Sequence, residues 1–235
     1  MSSPKDPPPC EQGSRTIQLP YLNTFETIWE YKKSFLADQI DFFSYIGSTC
    51  PICGASDCYR EISPYWRYAI ELLPEFTKKQ IPIARFVCRR RQQTFSLLPI
   101  QLIPYFQYTV SAVIGTLLMG FQSWQMGQKG FYGATESVHP DSGITPYLVF
   151  CWLAGVVRGL RRGHAALKRF YDLSGVCSIE GTGLWEEVAG YFLAFGWKPE
   201  VRWGPLLMTL LRRYSHVTTQ FLFGTSSQQR NSIRH

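Results

Sequence analysis

A chain of 235 residues that is 45% hydrophobic, 15% aromatic and only 17% charged can bury a sizeable core, which excludes the disordered class. The 24 Lys and Arg against 17 Asp and Glu give a formal charge of +7, which fits a polyanionic partner, nucleic acid or an anionic membrane surface, and not a basic one. The chain has seven cysteines, an odd number, and its opening "MSSPKDPPPCEQGSR" lacks an apolar signal core, so a reducing, cytoplasmic setting is expected, with clustered cysteines binding metal and Cys10, Cys151 and Cys177 buried or incidental.

Residues 1–20 read as a disordered tail, since "PKDPPPC" has too little to bury. Residues 21–45 read as one amphipathic helix. Asn23-Thr24-Phe25-Glu26 fits a capping box, and Phe25, Ile28, Trp29, Phe35, Leu36, Ile40 and Phe43 recur at helical spacing among Glu30, Lys32, Lys33 and Asp38. Over residues 46–99 the pattern changes to short β-type runs, "CYREIS", "YWRYAIELL", "IPIARFVC" and "QTFSLL", separated by turn residues. Small strands around two turns are what a zinc-ribbon-like domain needs.

Beyond Pro104 helical periodicity takes over, at Thr109 to Trp124, near Gly133 to Val138, and at Thr145 to Leu160 with Thr145 as cap and Pro146 first. A long, a short and a long helix ending in basic residues outline a helix-turn-helix over residues 104–162, an outline shared with plain three-helix cores. Residues 163–223 hold further helices at His164 to Leu173, Leu184 to Phe195 and Pro205 to Ser215, and 224–235 a frayed tail. The expected class is therefore α+β, mostly α: a small zinc-ribbon-like β unit followed by an all-helical segment with helix-turn-helix character. Gln92 to Gln128 carries no charge and is long enough to cross a bilayer. Its Pro104, Gln107, Thr109, Ser111, Thr116, Gln122 and Ser123, together with the whole chain's mean hydropathy of -0.11, weigh against a span.

"CPICG" has the make-up of a zinc knuckle. Cys50 and Cys53 are three positions apart, Pro51 pre-sets the turn, and Gly54 permits the positive φ of its exit. A tetrahedral site needs four ligands, and "RFVCRRRQQTFSLL" offers Cys88 but places Arg91 where a second pair would finish. Three completions stay open. Cys58 folds back as the fourth thiolate; water or a side chain such as His139 fills the place; or the metal is lost and Tyr65, Trp66, Phe86 and Phe95 hold the ribbon alone. A guanidinium is no ligand and repels the ion.

Cations cluster twice. Lys78, Lys79, Arg85, Arg89, Arg90 and Arg91 are free of intervening acids, as is the run from Arg158 to Arg169 that includes Arg161 and Arg162. Both are candidate phosphate-binding patches. Tyr45, Tyr59, Tyr65, Trp66 and Tyr68 alternate with Arg60 and Arg67, an arrangement that suits either stacking on bases or a ribbon core.

"CPICG", "YWRY" and "IPIARFVCRRRQQTFSLLPIQLIPYFQYT" together resemble an uncharacterised group of small bacterial proteins. Their zinc ribbon reads C-P-x-C-G and R-x-x-C-x-x-C-x-x-T-F-S-L-L-P and leads into a helical segment beginning P-Y-x-x-Y. The same stretch is similar to the zinc-ribbon and helix-turn-helix front end of insertion-sequence transposases. The resemblance covers about residues 45–160, and "TFSLLP" with "PYFQY" is its most specific part. It implies DNA binding linked to mobile elements and one Zn2+ held by Cys50, Cys53 and Cys88, with Arg91 in the place of the fourth cysteine. "ITPYLVFCWLAGVV" takes the place of the recognition helix, yet lacks the Arg, Asn or Gln that read bases. Arg158, Arg161 and Arg162 at its end suit phosphate contact.

A transposase also needs converging carboxylates to hold two metal ions. After Arg162 the acids are Asp172, Glu180, Glu186, Glu187 and Glu200, none in a strand-like run, so no catalytic domain is expected. "SIEGTG" lacks the Gly-Lys-Ser/Thr of a phosphate loop, and His139, His164, His216 and His235 do not pair at ligand spacing. The expectation is a non-enzymatic DNA-binding protein. The alternatives are an adaptor that docks a transposase or other protein, and a small membrane-associated protein.

Overall fold

Cysteine-bearing turns and a long hairpin form one part of the molecule, and a helical layer the other. The computed structural model describes residues 15–18, 25–176 and 183–224. Among them the order is β1 (Arg15–Gln18), α1 (Ile28–Leu36), α2 (Phe42–Ile46), β2 (Tyr59–Glu71), β3 (Thr77–Cys88), β4 (Thr94–Leu98), α3 (Val110–Gln125), α4 (Gly130–Glu136), α5 (Pro146–Leu167), α6 (Leu184–Ala194) and α7 (Trp203–Thr218). The class is mixed α+β.

Two expectations near the amino terminus are corrected. Strand β1 falls inside the stretch read as a disordered tail and pairs in parallel with β4, Ile17 opposite Leu97. The single helix expected over 21–45 is two helices. Thr27, and not Asn23, caps α1, its hydroxyl accepting from the Glu30 N–H at 3.2 Å. After Leu36 the chain turns through Asp38 at φ 54°, and the Asp41 carboxylate restarts it by accepting from the N–H groups of Phe43 and Ser44. Short acidic side chains that bond their own backbone thus outweigh the apolar periodicity that runs across them.

The sheet order is β1-β4-β3-β2, antiparallel except for β1, which makes β2 an edge. "CYREIS" and "YWRYAIELL" fuse into the single strand β2. The register shifts between Ile62, opposite Arg85, and Tyr65, opposite Ile83, so Ser63 and Pro64 share one partner position. A bulge is where a proline, which has no N–H to give the ladder, is tolerated. Phe86 and Phe95 stack at 5.4 Å in the sheet core, with Phe42 and Tyr59 edge-on to Phe86.

The uncharged stretch becomes β4 and α3. Thr109 caps α3, which buries Val113, Ile114, Leu117, Leu118 and Phe121 in the helical core. No helix among the described residues is long and apolar enough to cross a membrane. Thr145 and Pro146 start α5 as expected, but the helix runs past Leu160 to Leu167 and absorbs the start of the helix expected at His164. No proline interrupts it, and Gly159 within it lets the chain at Leu222 lie against the helix: a Cβ at Gly159 would sit 2.5 Å from the Leu222 carbonyl oxygen.

Candidate metal centre

Cys50 and Cys53 lie on a turn closed by two backbone bonds. The Cys50 N–H donates to the Ala55 carbonyl at 2.9 Å and the Gly54 N–H to the Cys50 carbonyl at 2.8 Å, with Gly54 at φ +73°. The turn after β3 repeats this arrangement. Cys88 N–H donates to Gln93 at 2.9 Å, Gln92 N–H to Cys88 at 2.8 Å, and Gln92 has φ 53°. Cys88 therefore matches Cys50, Arg91 matches Cys53, and Gln92 matches Gly54. The Arg91 N–H still points at sulfur, 3.3 Å from Cys88 Sγ, while its side chain is exposed to solvent.

The missing fourth sulfur comes from Cys58. Asp57 at φ 51° turns the chain back, and Cys58 then precedes Tyr59, the residue paired with Cys88 in the sheet. The Arg89 N–H donates to the Cys58 carbonyl at 2.7 Å. Sheet register thus delivers Cys58 Sγ to within 3.8 Å of Cys88 Sγ and 3.0 Å of Cys53 Sγ. All four sulfurs lie within 4.8 Å of one another, with Cys50, Cys58 and Cys88 buried and Cys53 half-buried. Four thiolates around an ion at about 2.3 Å place their sulfurs about 3.8 Å apart. The group has the dimensions of a metal site, and sulfur donors suit a soft or borderline cation.

Electrostatics sets Cys53 apart from Cys58. Cys53 is lowered to about 7, chiefly because the Cys58 thiol hydrogen-bonds to it and secondarily because the Ala55 N–H does. Cys58 is pushed up by the same neighbour and by burial. Of this pair Cys53 is the first to ionise, and a bound ion would displace protons from the thiols that hold it.

His139 plays no part in the group. It is the cap of a short 3-10 turn, accepting from the Asp141 N–H at 3.2 Å and stacked on Phe76. Of the aromatic residues expected to hold a metal-free ribbon, Phe86 and Phe95 are fully buried, but Trp66 is 46% exposed. Cys151 is exposed, so it is not a buried thiol. Cys10, Cys177, Glu180, His235 and most of "SIEGTG" lie outside the described residues.

The expected phosphate contacts divide. Arg89, Arg90 and Arg91 are exposed on the turn that follows Cys88, and Arg85 is half-buried on β3. Arg60, which stands alone in the sequence, joins them. It pairs with Val87, and Arg85 with Ile62, so alternation puts both arginines on one side of the sheet. Lys78 and Lys79 sit at the far end of β3, their ammonium groups 5.0 and 5.4 Å from the rings of Tyr68 and Trp29. Arg158 is exposed on α5. Arg161 and Arg162 are engaged within the fold. Arg161 grips the buried Glu187 through one guanidinium edge, Nε donating to Oε1 at 2.7 Å and Nη2 to Oε2. Arg162 donates to the carbonyls of Phe221, Leu222 and Gly224 at 3.2, 2.8 and 3.2 Å.

Comparison with family models, with curated proteins and with solved structures finds no match to this chain.

Proposed function

We propose that this chain is a non-enzymatic DNA-binding protein of mobile-element ancestry, in which a zinc ribbon holds a basic turn against the phosphate backbone. One observation carries the reading. Cys88, a member of the four-sulfur group, is followed at once by three exposed arginines whose turn closes on Cys88 itself. An ion bound there fixes the turn and its charges together, so the entropy of ordering those arginines is spent before the partner arrives. Cys50, Cys53, Cys58 and Cys88 would hold Zn2+, which supplies cross-linking and no reaction. Arg60 and Arg85 extend the same positive end of the hairpin. The ancestry rests on the sequence resemblance alone, and α3 to α5 contribute a helical support whose Arg158 adds one further phosphate contact.

The test is duplex binding by fluorescence anisotropy across a salt series. Binding whose log affinity falls linearly with log salt is expected, and replacing Arg89, Arg90 and Arg91 with alanine lowers the slope by about 2 to 3. Absence of binding at low salt refutes the reading.

A second reading, a protein-interaction adaptor, is favoured by the start of α5. There Tyr147 is 75% and Phe150 43% exposed, an aromatic pair of the kind that anchors protein interfaces.

A further inference from the structure

Cys53 is set apart from the other three sulfurs of the group by access. It stands on the first turn and is half-buried, whereas Cys50, Cys58 and Cys88 are buried. Backbone bonds hold that turn on either side of it: Thr49 bridges Ser56, and the Asp57 N–H donates to the Ser48 carbonyl at 3.1 Å. Five positions on, Cys58 Sγ lies 3.0 Å from Cys53 Sγ, about 1 Å beyond the length of an S–S bond. Closing that gap would consume two of the four thiolates. Cys50 would remain on the first turn and Cys88 on the second, where Arg91 has no sulfur to add. Two sulfurs do not complete the four-coordinate shell of a structural zinc. Cys58 also borders the basic turn, its carbonyl accepting from the Arg89 N–H at 2.7 Å.

We propose that the four-sulfur group is a redox switch, in which hydrogen peroxide joins Cys53 to Cys58, the metal is lost, and the arginine turn of residues 89–91 is released from its fixed shape. The proposal rests on the metal and nucleic-acid readings above and adds their regulation. As metal ligands both sulfurs are thiolates. The Cys53 thiolate attacks one peroxide oxygen, the O–O bond breaks and hydroxide leaves, giving a sulfenic acid at Cys53. The Cys58 thiolate then attacks the Cys53 sulfur, the S–O bond breaks and a second hydroxide leaves. Two electrons pass from the sulfur pair to the peroxide, and the two hydroxides take two protons from solvent to become water. The ion departs hydrated.

The experiment treats the whole zinc-loaded chain with excess hydrogen peroxide, beside the variant C10S/C151S/C177S, which keeps only the cysteines of the group. Native mass spectrometry is expected to show the loss of one Zn2+ per chain. Duplex affinity by anisotropy should weaken about tenfold or more, and dithiothreitol with Zn2+ should restore it. Cleavage before Asp57 and after Arg60 places Cys58 on a peptide of residues 57–60, apart from Cys53. In the oxidised chain that peptide should stay joined to the one carrying Cys53 until reduction, with fragmentation placing the bond at Cys53 and not at Cys50. Zinc that stays bound, a bond that joins Cys50 to Cys53 or reaches Cys88, or a duplex affinity unmoved by the disulfide overturns the switch and leaves the DNA-binding reading standing. A chain that takes up no zinc, or binds no duplex at low salt before peroxide is added, overturns the underlying reading and the switch with it.

Discussion

Cys58 decides whether the four-sulfur group exists. The second turn keeps the backbone of a knuckle, including the Arg91 N–H aimed at Cys88 Sγ, but has no second thiol to give. C58S should therefore lose its single Zn2+ in native mass spectrometry. The double variant C58S/R91C should regain it, because the turn already holds position 91 as the first turn holds Cys53. A double variant that stays metal-free would mean that the likeness of the two turns is only one of backbone. "CPICG" announced the first pair, since Pro and Gly declare a turn locally. Cys58 stayed one of three candidates because its place depends on the pairing of Tyr59 with Cys88, a contact across 29 positions that no local pattern encodes. His164 gives a pH signature at the same scale. Its Nδ1 lies 2.8 Å from the Tyr191 hydroxyl, and burial, aided by Lys168, lowers its pKa from the ordinary 6.5. The fold favours the neutral ring and binds fewer protons than the unfolded chain. Stability should fall as pH drops through about 6.5 and level off below the folded value. In thermal melts from pH 8 to 5, H164Q should show a shallower loss than the parent chain.

Helix α5 shows how an element takes over residues assigned to a ligand. Its buried face carries Val149, Trp152, Leu153, Val156, Val157 and Leu160, which sets its rotation and turns Arg161 and Arg162 toward neighbours. Glu187 on α6 is 1% exposed while the Arg161 side chain is 54% exposed, so the pair is half-solvated. R161A strands the carboxylate, and because water reaches the arginine's side, the loss should be about 1–3 kcal/mol and below the range for a fully buried pair. R161A/E187Q should recover part of it in denaturant melts; additive losses would show that the pair is not coupled. The Thr145-Pro146 start was legible because caps are local, and the strands were legible by alternation. The fusion of two runs across Pro64 and the split of α1 from α2 were not. The first needs a bulge against β3, the second a left-handed Asp38, and periodicity registers neither.

At the scale of the molecule, buried side chains gather in two clusters, and the cysteines of the four-sulfur group belong to one of them. One holds Cys50, Cys58, Cys88, Phe86 and Phe95 with α1 and α2; the other holds α3 to α7 with Ile70 and Leu72 at the end of β2. The first is small and built on turns whose four sulfurs, without an ion, offer one another little beyond weak S–H contacts. The second is a broad apolar layer with Trp197, Tyr191 and Phe192 fully buried, and it needs no ligand. A chelator strong enough to strip Zn2+ should therefore raise amide exchange across residues 48–62 and 85–95 while α3, α5 and α7 keep their protection. Helical circular dichroism should change little. Exchange rising together across both clusters would instead make the hairpin a cooperative part of the helical layer. The crossing points for such coupling are already in place: Gln101 Nε2 donates to the Phe25 carbonyl at 2.7 Å, and Ile70 exchanges backbone bonds with Gln107 and Thr109 at 2.9 and 3.1 Å. These bonds, like those of Arg67 to the Ile103 carbonyl and of Ser111 to the Glu71 carboxylate, anchor the end of β2 far from the sulfurs, so the metal's contribution should end at the hairpin. In that case the triple alanine replacement of Arg89, Arg90 and Arg91 and the removal of zinc should weaken duplex binding alike, since each leaves the helical layer intact and disables the same turn.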